Sequence, residues 1–165
     1  MELGRAQIEW ARGRLEEAAQ LLDRVEELFT LHPVSIHRRA AYMDQRLRLL
    51  LDLHLPDQAL KLLTDRADWL DHEAWMQSRL LRLLEHRARA SLGQCSTLEA
   101  VETIVRESEA QGMVLLELEA KLSLAEIFAH CGQPERKAAL LGEVEKEAQT
   151  RHLQLLTSWA RRLSS

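Results

Sequence analysis

The chain has 165 residues, 46% of them apolar and 29% charged, with a formal net charge of −4 and only six glycines and three prolines. That is enough apolar material for the core of one domain of ordinary size. It offers too little turn chemistry for a strand-rich fold and no global positive field to draw nucleic acid. Its densest apolar stretch, 113–129, is broken by Glu117, Glu119, Lys121, Ser123 and Glu126, well short of the roughly 18 uninterrupted apolar residues of a membrane span. The opening MELGRAQIEWARGRLEEA lacks the apolar core of a secretory signal. Cys95 and Cys131 form neither a disulfide framework nor a metal spacing, so a reducing, cytoplasmic setting is expected.

Leu, Ala, Glu, Arg and Gln dominate, and all favour helix. Taken along the chain, the apolar periodicity predicts helices at approximately 2–12 and 14–30, then 34–54 and 57–70, then 72–92 and 97–111, then 113–131 and 134–150. A ninth, about 152–163, carries Leu153, Leu156, Trp159, Ala160 and Leu163 at helical spacing. It turns Arg161 and Arg162 to water, as a capping helix should. The start signals are physical. Pro56 and Pro134 stand at helix starts, where a missing N–H costs nothing. Glu16, Glu17, Asp57 and Glu135 place negative charge in first turns. Ser96-Thr97-Leu98-Glu99 reads as a capping box with Ser96 as cap. Gly93 and Gly132 end the helices before them.

Four segments share one form: a turn, a polar opening, an alanine and an apolar run. They are GRLEEAAQLL from Gly13, LPDQALKLL from Leu55, CSTLEAVETIV from Cys95 and GQPERKAALLGEV from Gly132. Their alanines, Ala18, Ala59, Ala100 and Ala138, follow one another by 41, 41 and 38 residues. Each motif opens the second helix of a pair, which divides a single domain into repeats at approximately 2–30, 34–70, 72–111 and 113–150, with the cap at 152–163.

These pairs, with the small residues Ala6, Ala88 and Ala125 where helices cross closely, resemble tetratricopeptide repeats. They depart from them in their longer period (the family's is about 34 residues) and in lacking the aromatic-Leu-Gly signature. The resemblance implies an all-α fold: a right-handed superhelical array, or α-solenoid, of about four antiparallel helix pairs plus the C-terminal capping helix. The stretch from Leu116 to Arg151 is similar to the long-period repeats of bacterial maltose-activator-type regulators and related multidomain signalling proteins. There such repeats recognise effectors or partner proteins, which would make this chain one domain of a longer protein.

Catalytic constellations are absent from the pattern. His32, His37, His54, His72, His86, His130 and His152 form no H-x-x-x-H or H-E-x-x-H pair, and the isolated glycines make no phosphate-binding loop. Neither a metal nor another cofactor is expected. The carboxylate pairs Glu16–Glu17, Glu26–Glu27 and Glu117–Glu119 fall on helix faces read as solvated, with ordinary pKa values. Cys95 and Cys131 occupy matching places in successive repeats, and packed helices hold such places about 10 Å apart. That lies beyond disulfide reach, so both read as small packing residues.

Charge is unevenly spread. The predicted helices 34–54 and 72–92 each carry four arginines against two acids, whereas 14–30 and 97–111 each carry three more acids than bases. In tetratricopeptide-like arrays the first helices line the concave groove, so the resemblance puts those arginines there. His72, Trp75, Arg79, Arg82, His86 and Arg89 alternate by three and four and share one helix face. Arg39 and Arg46 lie two turns apart on the preceding first helix, with Arg38, Tyr42 and Gln45 nearby. Arginine forks suit carboxylates and phosphates, and Trp75 or Tyr42 could stack on a ligand. The opposing reading is a solvated face whose arginines pair with Glu85 and neighbouring acids.

The candidate partner-binding set is therefore Arg39, Tyr42, Arg46, Trp75, Arg79, Arg82, His86 and Arg89. The expected function is a non-catalytic protein–protein interaction scaffold for an acidic peptide or partner surface. The alternative is an effector-sensing domain of a larger regulator. Self-association through end helices is a further reading, and nucleic-acid binding is disfavoured by few aromatics and negative charge. Trp10, Trp69 and Trp159 are expected between helix pairs. Leu115, Leu118, Leu122, Ala125 and Ala129 are expected in the core. Leu122→Asp should accordingly unfold the domain through an unpaired buried charge, and a thermal melt left unchanged by it would refute this register.

Overall fold

The computed structural model describes residues 2–67 and 75–164, and of Trp75 and Gln77 the backbone alone. Within these residues the chain is helical throughout, with no strand. In order come α1 (Glu2–Ala11), α2 (Leu15–Leu31), α3 (Ile36–Asp52), α4 (Pro56–Asp65), α5 (Trp75–Ser91), a 3-10 turn (Cys95–Thr97), α6 (Leu98–Ala110), α7 (Val114–His130), α8 (Pro134–Thr150) and α9 (Gln154–Ser164). None is long and apolar enough to cross a membrane. Cα packing separates two compact units, Met1–Leu81 and Arg82–Ser165.

Six of the links between helices are one turn repeated. Each helix ends at a left-handed residue: Gly13, His54, Gly93, Gly112, Gly132 and His152, with φ between 57° and 80°. The next residue then returns its N–H to the carbonyl five residues back. These bonds run from Arg14 to Glu9, Leu55 to Leu50, Gln94 to Arg89, Met113 to Ser108, Gln133 to Phe128 and Leu153 to Ala148, at 2.8–3.0 Å. This is the Schellman end, which satisfies carbonyls a helix terminus would otherwise orphan and reverses the chain in three residues. A side chain in that conformation meets its own carbonyl, so glycine fills four of the six positions. His54 and His152 fill the other two without that freedom.

The turn also corrects the alanine register. Counting five residues on from each left-handed residue reaches Ala18 and Ala59, which are fully buried, but Lys137 in place of Ala138. Ala138 is exposed because one residue of offset rotates a side chain about 100° around the helix. Ala100 is exposed because the 3-10 turn inserts three residues after Gly93, leaving Val101 at the buried place. Nor is Ser96 a cap. The residue ahead of α6 is Thr97, whose hydroxyl donates backwards to the Gln94 carbonyl at 3.3 Å.

In the first unit α1 packs on α2, α2 on α3 and α3 on α4. Ala6, Ala18, Leu21, Leu22, Val25, Met43, Leu47, Leu50 and Ala59 form the interior. Trp10 ties α1 to the end of α3 by donating to Asp52 at 2.7 Å. In the second unit α7 is the central helix, packed against α6, α8 and α9. Eleven of its 17 residues are buried, Glu117, Lys121 and Ser123 among them. Leu118, Leu122 and Ala125 meet Leu141, Val144, Ala148, Leu156 and Ala160, as the core pattern requires. Leu115 and Ala129 are exposed, contrary to expectation, since each stands at an end of α7. Trp69 lies outside the described residues.

His54→Gly and His152→Gly should each raise stability by about 0.5–1 kcal/mol, the left-handed strain removed less the freedom glycine adds to the unfolded chain. Gly132→Ala should lower it. Urea midpoints check both, and losses at the two histidines would contradict the turn assignment.

Candidate functional site

The α3 half of the expected site is largely spent inside the first unit. Tyr42 is fully buried. Its ring meets Phe29 edge-on at 5.7 Å and its hydroxyl donates to Glu26 at 2.8 Å. It has no face left on which a ligand could stack. Arg46 pairs with Asp23 at 2.7 Å and reaches the Ala19 carbonyl at 3.4 Å. Arg39 is half-buried and also engaged. Arg66 completes the group by donating to the other Glu26 oxygen at 2.7 Å. Glu26 is thus held from α3 and from the end of α4, so it does not belong on a solvated face. Burial pushes its carboxyl up, but the bonds from Arg66 and Tyr42 outweigh burial and hold it below the ordinary range. Burial and the same bond push the Tyr42 phenol well above its ordinary value.

On α5 the stripe keeps its spacing. Arg82 is exposed, Arg79 is half-buried and engaged, and Arg89 pairs with Glu85 at 2.8 Å across one helical turn and touches Gln94. His86 is half-buried with its Nδ1 unbonded. Burial, with Arg89 and Arg82 beside it, holds its imidazole below the ordinary range against the pull of Glu85. It is therefore uncharged at neutral pH, and the charge of this face belongs to its arginines. His72 and the Trp75 side chain lie outside the described residues.

Arg87, one residue off that face, does different work. It is 4% exposed. Its guanidinium holds Glu126 of α7 at 2.6 Å and lies over the Trp159 ring of α9 at 5.2 Å, while Trp159 donates to the other Glu126 oxygen at 3.1 Å. One turn further on, the Ser91 hydroxyl meets His130 Nε2 at 3.2 Å. Beyond that, Cys95 and Cys131 are joined in a disulfide with their Cα atoms 5.8 Å apart. The cysteines are not packing residues. The expected separation assumed positions on two helix axes, whereas Cys95 lies past Gly93 in the 3-10 turn, off the axis of α5. With the disulfide present, the cysteines no longer argue for a reducing compartment.

Glu117 and Lys121 were also missed. Both are buried on α7, bonded to each other at 2.7 Å, with Glu143 of α8 closing on Lys121 at 2.5 Å. Burial alone would lower the Lys121 ammonium, yet the two carboxylates hold it well above its ordinary value. One signal pointed to the α5–α7 pairs. Arg87 and Glu126, and Ser91 and His130, are each 39 residues apart, as are Gly93 and Gly132. Complementary residues one period apart on successive first helices are candidates for contact.

These features define an all-helical protein whose polar ties are mostly structural. No family model, curated protein or solved structure matches the chain.

Because folding lowers the Glu26 pKa, the unfolded chain takes up that proton first as pH falls. Its contribution is whole above the ordinary value of 4.5 and is lost below it. The stability difference between wild type and Glu26→Gln should therefore be widest above 4.5 and narrow in acid, as urea titrations down to about pH 3 would show. A difference independent of pH would contradict the assignment.

Proposed function

We propose that the chain is a tetratricopeptide-like, non-catalytic scaffold, its helix pairs wound into a right-handed superhelical array, and that it binds an acidic peptide or partner surface along the arginine face of α5. The observation that carries this reading is the spacing of Arg79, Arg82, His86 and Arg89 on one continuous helix, with Arg82 open to solvent. Arg89 is held by a pair between residues four apart on an accessible helix face. Such pairs contribute only a few tenths of a kcal/mol, so an incoming carboxylate can take its place. The site is narrower than the sequence pattern alone would suggest, because Tyr42 and Arg46 are committed to Glu26 and Asp23.

The alternative, an effector-sensing domain of a larger regulator, draws on a cavity of about 350 Å³ at the α8–α9 turn, lined by Gln149, His152, Gln154, Thr157, Ser158 and Arg161. Its cation is already paired with Glu145 at 2.8 Å, which favours the α5 face.

A fluorescently labelled glutamate-rich peptide should bind the wild type, with affinity falling as salt is added. Arg79→Glu/Arg82→Glu should weaken it at least roughly ten-fold, about 1.4 kcal/mol, with circular dichroism unchanged. Equal binding to both proteins would make these arginines solubility charges and overturn the reading.

A further inference from the structure

The disulfide closes one end of a seam that has three rungs. Arg87–Glu126, Ser91–His130 and Cys95–Cys131 follow one another from one turn inside the carboxyl ends of α5 and α7 to the turns beyond both helices. Protection is greatest at the inner rung. Arg87 is nearly inaccessible, Ser91 and His130 are exposed, and both cysteines are half-buried beside the left-handed Gly93 and Gly132. The covalent rung is therefore the outermost one and is partly open to solvent, and the innermost is a buried ion pair reinforced by Trp159. Opening the bond leaves that inner rung in place.

We propose that Cys95–Cys131 is a redox-operated latch, opened by a dithiol reductant while the protein stays folded, which sets the local order of the carboxyl-terminal end of α5 and of the turn after it. The sulfurs differ in setting. Cys131 caps the carboxyl end of α7, where the helix dipole opposes a thiolate, whereas Cys95 stands four residues beyond the end of α5, which makes Cys95 the better leaving group. A thiolate of the reductant bonds to Cys131 Sγ, and Cys95 leaves as thiolate with the electron pair of the broken S–S bond. The second thiol of the reductant loses its proton and attacks its own sulfur in the mixed disulfide, expelling Cys131. Both cysteines take protons from water, the reductant ends as a disulfide, and two electrons have passed to the protein. Arg89 sits on the segment released, one turn below Gly93, so the latch would also tune the proposed binding face. That last step alone rests on the acidic-partner reading.

The test uses the oxidised protein with dithiothreitol and no denaturant, followed by brief trypsin digestion and mass spectrometry with thiol labelling. Both cysteines should become labelled together, and cleavage after Arg89 should rise roughly ten-fold through local opening, while cleavage after Arg106, Arg136 and Arg151 stays as in the oxidised protein. Cys95→Ala/Cys131→Ala should reproduce the reduced pattern without reductant. Cysteines that resist dithiothreitol until denaturant is added would overturn the latch. So would cleavage that rises at every site or at none, since the bond would then be a global staple or an idle one. No partner enters this readout, so it stands or falls apart from the peptide-binding experiment.

Discussion

A helix cannot end inside a packed protein without providing for its last carbonyls, and six helices here meet that constraint in the same way. A left-handed residue and one N–H returned five residues back leave only three residues before the next helical turn begins. Such a link turns the chain back on itself, so consecutive helices lie antiparallel and share an apolar face. The interiors of both units follow from that. A helix with neighbours on several sides, as α7 has, becomes apolar nearly all round. Each of its fully buried leucines contributes about 1.5–3 kcal/mol.

Polar side chains between helices carry the next level of order. Glu26 gathers Tyr42 and Arg66 in one unit, and Glu126 gathers Arg87 and Trp159 in the other. In each case a carboxylate of one helix is satisfied by groups from two others. Breaking such a partly buried arrangement strands a charge, which is far more costly than losing a surface pair. An arginine count along a helix therefore overstates what is available to a partner. Arg46 and Arg87 belong to the fold, Arg82 lies open to solvent, and Arg89 is held at the surface by its neighbours Glu85 and Gln94.

Helix boundaries were legible in the sequence because their signals are local: Pro56 and Pro134 at starts, Gly93 and Gly132 at ends, and periodic leucines between. The left-handed His54 and His152 were not, because nothing in their side chains announces that conformation. They emerge only from their place relative to the glycine turns. The alanine alignment misread two repeats because it followed composition, while burial follows distance from the turn. Tyr42 was assigned to a ligand groove, and Glu26 and Glu117 to solvent, for a related reason. Charge and polarity along one helix do not reveal whether a second helix lies over it. The disulfide was missed because helix-axis spacing was applied to a residue that had already left its helix. Of the expected binding set, the α5 residues Arg79, Arg82, His86 and Arg89 keep their common spacing, while Tyr42 and Arg46 turn into their own unit.

One turn closes six of the described helices and sets where the next one begins. The most direct measurement is residue-by-residue amide hydrogen exchange at Arg14, Leu55, Gln94, Met113, Gln133 and Leu153, the donors of the returning bonds. All six amides should be protected, including Leu55 and Leu153, which follow histidine. Rapid exchange at those two, with protection confined to the amides that follow glycine, would contradict it.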